Sequence, residues 1–162
     1  MKKLVLGVLV VGVVAFVALR RGGGSDAQET TVDHKVVLDR IWIDHIPKND
    51  RDIINVFVAI TEQPFGIFDA GSQWTAKFEL FQYEANGGEI RVYYGQTGER
   101  EKITAKATKC NHQGFELCLQ LSGNSRGVGK YYSMEDWVID SRDQLDHIRQ
   151  QIATKLDIPS AE

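Results

Sequence analysis

Cysteine is scarce here: 2 in 162 residues, too few for a disulfide-dense scaffold or a cysteine-built zinc site. Proline is nearly as rare, at 3, and histidine contributes only 4, at positions 34, 45, 112 and 147, with no pair at metal-ligand spacing. A surplus of positive charge is also missing. The formal net charge is −3 and the pI about 5.8, which leaves no basic excess to neutralise a phosphate backbone and excludes a nucleic-acid partner. What is present is ordinary globular material. Hydrophobic residues make up 43% and charged residues 25%, which rules out a disordered or low-complexity chain.

One long apolar run stands out. Residues 4–19, LVLGVLVVGVVAFVAL, lie between Lys2-Lys3 and Arg20-Arg21. As a helix this run spans about 24 Å, short of a ~30 Å hydrocarbon core, and flanking Lys and Arg can snorkel across the shortfall. The reading is a signal-anchor or signal peptide over residues 1–21. Cleavage is disfavoured, because Val13-Val14-Ala15 would truncate the run and Ser25-Asp26-Ala27 lies beyond two arginines. No cysteine follows the run, so the lipoprotein route is closed. A single pass through residues 4–19 would leave the C-terminal domain outside the cytoplasm, at the cell membrane; a cleaved leader would make it secreted or periplasmic. Residues 22–31, GGGSDAQETT, read as a flexible linker, and residues 32–162 as the exported domain. Residues 1–31 carry four basic and two acidic side chains, so the domain alone stands at −5.

Within the domain the dominant pattern is alternation. Trp74, Ala76, Phe78 and Leu80 share one face, with Phe81 and Tyr83 on the other. A three-residue loop centred on Gly87 pairs Leu80 with Tyr94 and places Ile90, Val92 and Tyr94 inside, leaving Phe81, Tyr83 and Tyr93 outside as a patch for a partner or for a covering helix. A two-residue turn at Thr97-Gly98 then pairs Val92 with Ile103, turning Lys102, Thr104, Lys106 and Thr108 to solvent. Phe115, Leu117, Leu119 and Leu121 come next on the inner face. Residues 35–46 and 55–62 read as flanking strands, with weaker candidates at 131–133 and 137–139. Ser141 caps a helix predicted over 141–156, with Leu145, Ile148, Ile152 and Leu156 on one stripe and Pro159 after it. The expected fold is mainly β: an antiparallel meander forming a small barrel or curled sheet, with one C-terminal amphipathic helix covering an open side or end. Cys110 and Cys118 share the outer face of adjacent strands, within disulfide reach, and an oxidising compartment would join them.

Chemistry-bearing motifs are thin. Gly123–Lys130 looks like a phosphate loop but has Asn124 where a glycine is required and Tyr131 where Ser or Thr must follow. Asp44 and His45 are neighbours on a predicted strand, so their side chains point apart. Asp50-Arg51-Asp52 lacks the order of a calcium loop. No serine sits in a nucleophile elbow. These absences imply neither catalysis nor a cofactor.

The stretch from Gly71 to Leu121, in which Trp74 opens a meander turning at Asn86-Gly87-Gly88 and Thr97-Gly98, resembles lipocalin-type small barrels. The resemblance covers about a third of the chain, and two residues separate Gly71 from Trp74, where the family's pattern has one. It implies an interior able to hold an apolar molecule or lipid, which here would be faced by Trp74, Phe78, Leu80, Val92, Tyr94, Leu117 and Leu119. The expected function is a membrane-tethered extracytoplasmic domain that binds an apolar ligand. The alternatives are an envelope interaction module and an enzyme of unrecognised type.

Overall fold

The computed structural model describes residues 34–72, 74–140 and 154. A 3-10 turn at His34–Val37 leads into eight strands: β1 Trp42–Ile43, β2 Ile54–Ile60, β3 Phe65–Gly71, β4 Ala76–Asn86, β5 Glu89–Tyr94, β6 Arg100–His112, β7 Phe115–Ser122 and β8 Lys130–Ser133. Each pairs antiparallel with the next, and β8 returns to β1, closing a barrel. The expected leader and linker over residues 1–31 and the expected helix over 141–156 lie outside the described residues, apart from Thr154, which is helical and exposed. Among the described residues no helix is long and apolar enough to cross a membrane.

The expected strand over residues 35–46 shrinks to two residues because the chain turns first. Asp39 adopts φ 51°, a left-handed conformation that Asp tolerates better than most residues. It is held there from both sides: its amide donates to the Ala59 carbonyl at 2.7 Å, and its carboxylate accepts from the Thr61 amide at 2.7 Å. Residues 137–139 form no strand, only a bridge between Val138 and Arg40. β3 has no counterpart among the expected strands, since Gly66 and Gly71 interrupt its alternation. Gly66 has a packing reason: a Cβ there would lie 2.2 Å from the Phe81 ring, which crosses the β3 backbone.

Register decides which face is which. β4 and β5 join through Gly87 and Gly88 alone, so Asn86 opposes Glu89 and Phe81 opposes Tyr94. The expected three-residue loop is wrong by one position, and a one-residue slip turns a whole strand over. Phe81 and Tyr83 therefore face the core, while Trp74 and Phe78 stand outside, 71% and 56% exposed. The next hairpin is wrong by two: residues 95–98 form the loop, and Ile90 pairs with Ile103. An even slip preserves faces, so Ile103, Ala105 and Ala107 are buried as expected. Thr108, expected outside, is 4% exposed.

Cys110 and Cys118 lie at disulfide distance, their Cα atoms 5.8 Å apart. Ala107 meets Leu119 rather than Leu121, and a bulge between Lys109 and His112 brings Cys110 beside Cys118, whose direct partner is Thr108.

The main core fills the barrel. A satellite cluster of Ile43, Phe115 and Trp137, with Ile41, Ile46, Ile54, Val56, Tyr132 and Met134 packed against it, lies around the β8–β1–β2 junction. Phe115, expected to face the interior like Leu117, is buried in this cluster instead.

Candidate functional site

The barrel interior is a solid of rings. Phe57 packs against Phe68, Phe81 and Tyr131 with centroids 5.1, 6.2 and 6.0 Å apart, and Phe81 meets Tyr94 edge-on at 6.1 Å. Trp42 is fully buried and donates its indole N–H to the Val37 carbonyl at 3.0 Å, which anchors the 3-10 turn beside one mouth. The cavity between that turn and β4–β6 amounts to about 10 Å³, no more than a single water requires. Of the residues expected to face a ligand, Val92, Tyr94, Leu117 and Leu119 are in this packed interior; Leu80 is half-buried on the outer face beside Phe78. The structure does not bring the seven together.

At the opposite mouth the β7–β8 loop folds back over the rings. Gly127 allows it: a Cβ there would lie 2.2 Å from the Tyr131 hydroxyl, and φ is +67°. The Val128 amide donates to that hydroxyl at 3.0 Å. Arg126 lies 5.0 Å from the Tyr94 ring centroid and pairs with Glu99, while the Tyr94 hydroxyl donates to Glu101 at 3.0 Å. Burial pushes the phenols of Tyr131 and Tyr83 up to about 12, and raises Tyr94 further with help from the Glu101 carboxylate. These groups stay neutral at physiological pH and serve as hydrogen-bonding plugs. The stretch resembling a phosphate loop is this mouth cover, with a strand after it and no helix.

Two surface features remain. On the outer face of β3–β6 a cleft of about 1170 Å³ is lined by Phe65, Gln82, Tyr93, Arg91, Arg100 and Lys102, among others. Phe65, Gln82, Tyr93 and Arg100 form one continuous cross-strand row. Of the expected partner patch, Tyr93 and Tyr83 line this cleft, but the register buries Tyr83 along with Phe81, so only Tyr93 is exposed there. The cations in this cleft already have partners: Glu89 binds Arg91 at 3.1 Å and Lys102 at 2.5 Å, and Arg100 lies 5.2 Å from the Tyr93 ring.

The second feature lies at the end of the barrel formed by the β1–β2, β3–β4, β5–β6 and β7–β8 connections. Trp74 and Ile53, 71% and 51% exposed, share a cleft of about 430 Å³ with Arg51, Ser72 and Thr75. The turn that presents Trp74 is held by the Ser72 amide donating to the Thr75 carbonyl at 2.8 Å and the Trp74 amide donating to the Ser72 hydroxyl at 3.2 Å. Beside it the β1–β2 connection is fixed by a polar cluster that sequence parity had excluded. The strand ends at Ile43, so Asp44 and His45 are freed from alternation and meet: His45 Nδ1 is 2.9 Å from Asp44 and Nε2 is 3.2 Å from Asp52. Asp44 also accepts from the Asn55 amide at 2.9 Å and its side chain at 2.7 Å. The Lys48 amide, and after it His45, holds the Asp52 carboxyl below the usual carboxylate range. With its carboxylates engaged internally, the cluster positions a loop; it is not a set of open ligands. Among the described residues, no group of three or more His, Cys, Asp and Glu side chains is arranged to hold a metal ion.

Comparison with protein-family models, with curated proteins and with solved structures found no match. The architecture and the two surface features are therefore what bears on function.

Proposed function

We propose that this chain is a membrane-tethered extracytoplasmic barrel that works as an interaction module, docking an envelope protein through the end that carries Trp74 and Ile53. The observation that carries the reading is the contrast between an interior filled by rings and a 71%-exposed tryptophan beside a 51%-exposed isoleucine on the rim. Exposed Trp in a shallow apolar cleft is the kind of side chain that supplies most of the free energy of protein association. The direction fits a tether at residues 4–19. The described chain begins at the 3-10 turn and ends beside Arg40 and Asp39, at the rim opposite Trp74. A module anchored near its first strand would present Trp74 away from the anchor.

An apolar molecule held inside a lipocalin-like barrel is the alternative. The eight-stranded antiparallel closure suits it, but the packed interior supports it less, because a ligand would have to displace the Phe57–Phe81 stack. The test is a photo-crosslinking residue at position 74 of the full chain in its native membrane. Adducts to one envelope protein, abolished by Ile53→Asp without a change in thermal stability, are expected. Adducts to lipid only, or none, would overturn the docking reading.

A further inference from the structure

We propose that the outer wall of β2–β4, next to the Trp74 rim, receives an amphipathic helix of the docking partner, one whose apolar stripe carries a basic side chain. This deepens the docking reading above and rests on it.

The barrel has two kinds of outer surface. Among the described residues, five large apolar side chains are exposed: Ile53, Phe65, Trp74, Phe78 and Tyr93. All five come from the β2–β5 half of the chain. The outward positions of β6–β8 include Lys102, Thr104, Lys106, Glu116, Gln120 and Lys130, a polar and solvated side.

Register joins the exposed set into one wall. Val58, Ile67 and Leu80 form an outward row, half-buried by their neighbours. Toward the Trp74 rim the next row is Val56, Asp69 and Phe78. Away from it the next is Ile60, Phe65, Gln82 and Tyr93, ending on Arg100 of β6. A solvated sheet face is polar; a wall this apolar marks a contact surface.

Charge decides what covers it. Asp69 sits inside the wall between Val56 and Phe78, half-buried, and among the described residues no hydrogen bond or ion pair engages its carboxylate. An occupant that buries Phe78 desolvates that carboxylate, which is costly unless a cation meets it. Two cations without an ion pair stand at the margins, Arg51 beside Trp74 and Arg100 over the Tyr93 ring. The complementary surface carries a Lys or Arg within its apolar stripe and carboxylates toward its ends. A second copy of this chain does not supply it: packed on the same wall about a twofold axis, it adds another Asp69 and no cation at the centre. Size agrees. The wall measures roughly 20 Å along β4 from Ala76 to Gln82 and about 14 Å across three strands, the footprint of about four turns of one helix. A standard protein pair needs about 800 Å² from each side, more than this wall offers.

The test uses the full chain in lipid nanodiscs and two helical peptides of about 18 residues, each with a leucine stripe and Glu near both ends. They differ only at the centre of the stripe, Lys in one and Glu in the other. The Lys peptide should shift the amide resonances of Ile67, Asp69 and Leu80 and bind about tenfold tighter or more. Asp69→Asn should remove that preference, while Gln120→Glu on the polar side leaves it. Equal affinities, no binding by either peptide, or shifts confined to residues 51–53 and 72–75 would overturn the proposal. So would self-association of the chain through this wall, or broadening of the same amides by spin-labelled lipid. The crosslinker at position 74 reads the rim separately. Protein adducts there without peptide binding to the wall would remove this inference and leave the docking reading standing; no adducts there would remove the docking reading itself.

Discussion

The β6–β7 ladder and the β8–β1 seam close the same barrel by different means. Between β6 and β7 the strands are 13 and 8 residues long, joined by a tight turn at Gln113-Gly114 and by the Cys110–Cys118 pair. At the seam a two-residue strand is flanked by side-chain ties. Ser133 Oγ donates to the Ile41 carbonyl at 2.7 Å, and Arg40 reaches the carbonyls of Val36 and Met134. Burial pulls the Arg40 guanidinium below its usual value, opposed by the nearby carboxylates of Glu135, Asp136, Asp140 and Glu116. The difference teaches that closure does not need one continuous ladder. Past the turn at Asp39 the Arg40–Val138 bridge and the amide bonds of Ile41 to Trp137 and Ile139 to Asp39 resume the pairing, and buried side chains tie what lies between.

The contrast can be attacked from the core outward. Phe57 touches both halves, since its ring packs against Phe68 and Phe81 on one side and Tyr131 on the other. Phe57→Ala should cost about 3–5 kcal/mol in urea unfolding, the range for a buried aromatic. A loss under about 1 kcal/mol would mean that the rings do not form a close-packed core. Removing the covalent tie of the strong ladder with Cys110→Ser and Cys118→Ser should cost roughly 2–3 kcal/mol, with oxidised wild type as reference. Ser133→Ala removes one seam bond and leaves the Ile41 carbonyl wanting a partner, a loss of about 1 kcal/mol. Amide exchange should then quicken at Ile43 before it does at Leu119; the reverse order would erase the distinction between the two regions. Smallest of all is the response to acid. Asp52 has a folded pKa below its unfolded value, so its contribution is complete above the unfolded value near ~3.9 and is lost as pH falls through the folded one. NMR line shapes of the β1–β2 loop should broaden on acidification below about pH 4, and Asp52→Asn should remove that dependence.

The sequence was most legible where alternation was long and turns could err harmlessly. From Glu89 to Leu121 the inner and outer sets emerged correctly except at Phe115, because the one wrong hairpin slipped by an even number; Thr108 faces outward opposite Cys118 as expected, though it is covered there. β4 failed because Asn86-Gly87-Gly88 fits a two-residue or a three-residue loop equally well, and the difference exchanges Trp74 and Phe78 for Phe81 and Tyr83. No composition rule separates those two sets: each holds two large aromatics. The Trp74 rim was thus hidden by a single loop residue. The His45 cluster was hidden by strand length, since parity holds only while the strand lasts and β1 stops at Ile43. β3 was lost to Gly66, whose absent side chain makes room for the Phe81 ring and so weakens the pattern that would have revealed the strand.

Because the described barrel starts and finishes at one rim, the opposite rim is free of covalent traffic. A unit wired in this way can be spliced into a loop of another protein, or have its own ends bridged and be reopened at Thr97-Gly98, without threading any strand through the barrel.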